Sequence, residues 1–66
     1  MAVLKVIEVV ANSTKSWEDA TKNAVKQAAK SVKHVRSVYV KEMSANVNGD
    51  DITEYRVNVK ITFEVK

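Results

Sequence analysis

Arg56, Asn58 and Lys60 stand at alternate positions in EYRVNVKITF, and Ser37 and Tyr39 do so in RSVYV. Alternation of this kind puts side chains on one face of an extended strand. A face that carries a guanidinium, amides, an ammonium, a hydroxyl and a phenol can hold a polar or anionic ligand or an ion, or fasten one subunit to another. Catalysis is another matter. The chain has no cysteine, and its single histidine, His34, has no serine nucleophile or carboxylate at a motif spacing, so it reads as a surface or helix-end residue. Nor can one histidine make a His-rich metal site. Glu8, Glu18, Asp19, Glu42 and Glu54 are oxygen donors of the kind a hard cation such as calcium takes, but no single run of them forms a cage. Asn46, Asn48 and Asp50 are spaced like the start of a calcium loop. Val57 stands where that loop needs its bidentate glutamate, and turn chemistry accounts for the three. No Gly-rich phosphate loop, carboxylate pair or metal-ligand cluster occurs, and the expected class is a non-enzyme.

Four elements must position these residues. Ala2 to Ala11 is rich in valine and isoleucine and reads as a first strand, broken by the polar cluster Asn12 to Ser16. Ser16 is a fitting N-cap, and Glu18 and Asp19 place negative charge at the positive end of a helix running from Trp17 to about Lys33. At about 100° per residue, Trp17, Ala20, Ala24, Ala28, Val32 and Val35 fall in one arc and Lys22, Lys26, Lys30 and Lys33 in another. Small residues let the helix lie close to a sheet; Trp17, on that face, is expected to pack against a strand end. Val35 to Val47 and Ile52 to Val65 read as two further strands. In the last, Tyr55, Val57, Val59, Ile61, Phe63 and Val65 alternate with polar residues. Asn48-Gly49 between them predicts a tight hairpin in which both residues tolerate positive φ. The expected fold is α+β: a β-α-β-β order with a three-stranded antiparallel sheet partly wrapped around one helix. One side of that sheet is left to meet water, a ligand or another subunit.

A chain of 66 residues is one domain, 1–66, and hides too little apolar surface to be comfortably stable alone. Without disulfides or a histidine-rich metal site, self-association is the remaining means of support. The apolar runs are short and interrupted by Lys5 and Glu8, so neither a membrane span nor a signal core is expected, and the predicted location is cytoplasmic. Asn12-Ser13-Thr14 has the letters of a glycosylation acceptor but reads as a turn before the helix. The net charge of +3 and the lysine stripe could track a phosphate backbone. The stripe lacks interleaved aromatics, and acidic residues accompany it, which argues against nucleic acid as a partner.

VKHVRSVYVKEM, a turn and TEYRVNVKITF, preceded by KVIEVVANSTKSWEDATKNAVKQA, together resemble the dodecins across nearly the whole chain. The separate words are short, but their order and spacing are fairly specific. The resemblance implies a β-α-β-β subunit, twelve copies in a hollow shell of cubic symmetry, and sequestration or storage of a small ligand. In the flavin-binding members that ligand is riboflavin or FMN, with paired isoalloxazine rings lying between tryptophans of neighbouring chains and a glutamine on the last strand bonding the ring edge. Here Ser37 occupies the tryptophan position and Arg56 the glutamine position. Loss of an aromatic platform removes stacking of about 1–3 kcal/mol per ring face, by analogy with base stacking. Arginine replaces an amide that donates and accepts with a fork that only donates. On this resemblance Ser37 and Arg56 line the ligand site, and period-two alternation adds Tyr39 and Asn58 on the same faces of their strands. Members without the tryptophan are regarded as binding cations or an unknown ligand, so a structural or divalent-cation shell stands beside the flavin store.

Overall fold

The computed structural model describes residues 2–65. Its order is β1 (Val3–Ser13), α1 (Trp17–Ser31), β2 (Val35–Asn48) and β3 (Asp51–Val65). The three strands form one antiparallel sheet in the order β1-β3-β2, so the strand with the cleanest alternation is the central one. A central strand is hydrogen-bonded on both sides and has the most to gain from an unbroken period of two.

The helix is specified at its start by Ser16, whose hydroxyl accepts from the Asp19 amide at 2.9 Å. Asp19 also accepts from the Ser13 hydroxyl at 2.6 Å, and Ser13 Oγ accepts from the Lys15 amide. This network carries β1 two residues past the predicted break at Ala11, because Asn12 and Ser13 pair with Arg56 and Tyr55. The helix ends at Ser31, two residues before the expected Lys33. Val32 is extended, with its N–H still bonded to Ala28, and His34 takes a φ of 62°. Val35, placed with the helical arc from sequence, is instead drawn into β2 by pairing with Phe63, and the intervening residues must reverse the chain. At the hairpin Asn48 pairs with Asp51, which leaves Gly49 and Asp50 as the loop. Positive φ falls on Gly49 alone, the φ pattern of a type II′ turn rather than one with Asn48 in the left-handed region.

Ala20, Ala24 and Ala28 face Val57, Val59 and Ile61, and these six make the fully buried core, with Ile7, Val9, Ala11, Trp17 and Val35 packed around them. Trp17 lies edge-on to Tyr55 with centroids 4.9 Å apart and donates its indole N–H to the Ser44 carbonyl at 2.8 Å, so it packs on a strand as expected. The helix covers β1 and β3 but barely reaches β2. The chain is drawn out to 51 × 19 × 13 Å, with a radius of gyration of 13.5 Å. A compact chain of this length would have about 11 Å. Its accessible surface, 4884 Å², also exceeds the roughly 4200 Å² typical of a monomer of its mass. One copy leaves surface that a single core does not use.

Candidate functional site

Two surfaces are left uncovered. On the helix side of β2, Val38, Val40 and Met43 pair with Ile61, Val59 and Val57 and so point the same way as the core, yet they lie beyond the helix and stay exposed. On the opposite, open face of the sheet, Leu4, Val6 and Val10 of β1 pair with Glu64, Thr62 and Asn58 and are also exposed. The apolar strips thus sit on opposite faces at opposite edges.

Between β1 and β2, the open face is polar. Register shifts at Val35/Ser37 and Val40/Glu42 insert an extra residue each time, and these bulges turn Arg36 and Lys41 onto it. Arg36 engages Glu64, and Lys41 reaches across β3 to Glu8 at 3.4 Å. A hydrogen bond with the Asn58 side chain, with Lys41 beside it, holds the Glu8 carboxyl below its ordinary range. The Asn58 Oδ1 is buried and has no hydrogen-bond partner among the described residues. Arg56 donates from Nε to Asn12 Oδ1 at 3.0 Å, which orients its guanidinium, and it forms no ion pair among the described residues. Asn46 donates to Glu54 at 3.2 Å. Glu42 pairs with Asn58 in register and has no charge partner among the described residues.

All four sequence-predicted site residues lie on this face, but one chain does not gather them. Tyr39 pairs with Lys60, one diagonal step from Asn58. Ser37 pairs with Thr62 and Arg56 with Ser44. Six positions of β3 separate those two points, about 20 Å of strand. Lys41 and Asn12 belong to the same face but carry no signal in the sequence alone: Lys41 reaches it through a bulge, and Asn12 sat in what read as a strand-ending cluster. Among the described residues, no three histidine, cysteine or carboxylate groups come together to hold a metal. Nor is any helix among them long and apolar enough to cross a membrane.

The sequence model of the dodecin family matches residues 3–66. The chain belongs to the dodecin family. It is 33% identical over 66 residues to the calcium dodecin of Mycobacterium tuberculosis, covering all of this chain and 93% of that one. Among solved structures, an R45A variant of the Thermus thermophilus dodecin superposes with a TM-score of 0.94 at 27% identity, over 100% of this chain and 98% of that one. The calcium-chelating dodecin of M. tuberculosis, described with a novel calcium-binding site, gives 0.83 at 34% identity, over 97% and 91%. The β-α-β-β subunit is that of these dodecins.

Proposed function

We propose that this dodecin is a non-enzymatic binding protein whose copies assemble into a hollow homododecamer, with a small ligand or ion held on the open face between chains. The observation that carries the reading is the split site: Ser37 and Arg56 lie about 20 Å apart along the sheet. A ligand touching both ends of the predicted set must therefore take them from different copies. Two uncovered apolar strips at opposite edges supply surface for that contact, and self-assembly would supply the core that six buried side chains do not. An unsatisfied buried acceptor such as Asn58 Oδ1 costs about 1–3 kcal/mol, and a donor from a ligand or neighbour would relieve it. The whole chain acts as one domain, and the expected location is the cytoplasm.

For the ligand, we favour a divalent cation of the calcium type. Ser37 offers no ring for a flavin to stack on, and a relative over the full chain is a calcium dodecin. Calcium takes six to eight oxygens at about 2.3–2.6 Å, more than one chain gathers, so the cage would draw carboxylates from several copies. Glu42 is the best placed, since Glu8, Glu54 and Glu64 already have partners. A second reading, riboflavin or FMN, is kept by Tyr39, an aromatic ring 65% exposed on the same face. Calcium-45 equilibrium dialysis and riboflavin fluorescence quenching on the same preparation separate the two. Calcium retention abolished by Glu42→Gln, without flavin quenching, is the expected result. Tight quenching by riboflavin with no retained calcium would reverse the assignment.

A further inference from the structure

The outer face of α1 is a ridge of positive charge. Lys22, Lys26 and Lys30 recur every four residues and lie opposite the buried Ala20, Ala24 and Ala28. Each step advances about 6 Å along the helix axis, and Lys33 follows two residues past its end. All four are exposed. Glu18 meets Lys22 at 3.4 Å, whereas Lys26, Lys30 and Lys33 form no ion pair among the described residues. Of the two acids that accompany the stripe in sequence, Asp19 is turned back to Ser13, and no Asp or Glu occurs from residue 20 to residue 41. The other two cations of that stretch, Arg36 and Lys41, are spent on Glu64 and Glu8 on the far side of the sheet. Charge is thus sorted in space as well as in sequence.

We propose that this ridge binds inorganic polyphosphate, a linear chain carrying a negative charge on each phosphate. A line of lysines gains affinity by displacing the counterions condensed on a polyanion, whatever else that polymer carries. The choice among polyanions rests on what the ridge lacks. Residues 22–31 expose no aromatic ring for a base to stack on, which disfavours single-stranded nucleic acid. They expose no large apolar side chain to enter a lipid interface, as a membrane-surface helix does. The ridge is also one lysine wide, which suits a flexible single chain lying along it better than a duplex with phosphates on two strands. One copy offers only three or four contacts. The proposal therefore rests on the assembly reading, because repeated ridges on one particle raise the effective concentration of the next contact.

The test is anisotropy of fluorescently labelled long-chain polyphosphate titrated with the purified protein over a salt series, with particle mass followed by light scattering. Binding that weakens linearly in log–log salt is expected. A Lys26→Gln/Lys30→Gln double variant should weaken it by about tenfold or more at unchanged mass. Lys26→Arg/Lys30→Arg and Lys5→Gln should both retain it. No binding by the parent, equal binding by the glutamine variant, or tighter binding to duplex DNA or phosphatidylglycerol vesicles would overturn the proposal. Protein coupled densely to beads separates the two readings. Retention of polyphosphate there but not in solution would place the failure with assembly; retention in neither would place it with the ridge.

Discussion

Met43→Lys tests whether the apolar strip on β2 is an interface. Met43 follows the core direction of its partner Val57 but is 61% exposed because the helix does not reach it. Full burial of a side chain of this size is worth about 1.5–3 kcal/mol, and roughly three-fifths of that remains to be gained when a second copy covers it. Each copy therefore forfeits about 1–2 kcal/mol on truncation alone. Burying an unpaired ammonium in its place adds a further cost of several kcal/mol. Repetition in every copy multiplies the loss across the particle. Light scattering should show the variant shifted to smaller species at micromolar concentration. Far-UV circular dichroism of the variant at high concentration should keep the parent's helix signal, since Met43 lies outside the buried core and takes no part in the capping bond of α1. A variant that assembles to the parent's mass and melts at the parent's temperature would refute the argument, because Met43 would then face water in the assembly.

Ser16→Ala removes the hydroxyl that accepts from the Asp19 amide and should cost about 1 kcal/mol, read as a lowered denaturant midpoint with an unchanged slope. Acid should loosen the fold through two carboxyls. Hydrogen bonds from Ser13 to Asp19 and from Asn58 to Glu8, the latter aided by Lys41, depress both below their ordinary values of 3.8 and 4.5. Their contribution is thus complete above those values and is lost as pH falls through the lower folded ones. Melting temperature measured from pH 6 to pH 2 should be flat and then fall, and Asn58→Leu should raise the Glu8 pKa seen by carbon-13 titration. Ser37→Trp, alone or with Arg56→Gln, should tighten riboflavin quenching by restoring a stacking surface. Unchanged quenching would mean that Ser37 does not lie at the ligand.

Much of this architecture is legible before any coordinates. The alternation of Tyr55 to Val65 marks the central strand and its buried side, and the Ala20, Ala24, Ala28 spacing marks the face that lies against it, because both periods are set by local backbone geometry. Boundaries read less well where tertiary pairing overrides local preference. Asn12 and Ser13 look like a break yet extend β1, since Arg56 and Tyr55 offer them partners. Val35 fits the helical arc yet joins β2 opposite Phe63. The candidate site was legible as a polar face but not as a geometry. Lys41 enters through a bulge that no periodicity announces, and Arg56 is met within the chain by Asn12, a residue that reads as part of a strand-ending cluster. The distance between Ser37 and Arg56 depends on register, which the sequence does not print.

On the assembly proposed above, other copies of the chain complete the open face. Multi-angle light scattering of the purified protein at micromolar concentration tests it most directly. A single particle of about 89 kDa, twelve copies of the 7.4 kDa chain, is expected. A stable folded species of one chain's mass would contradict it.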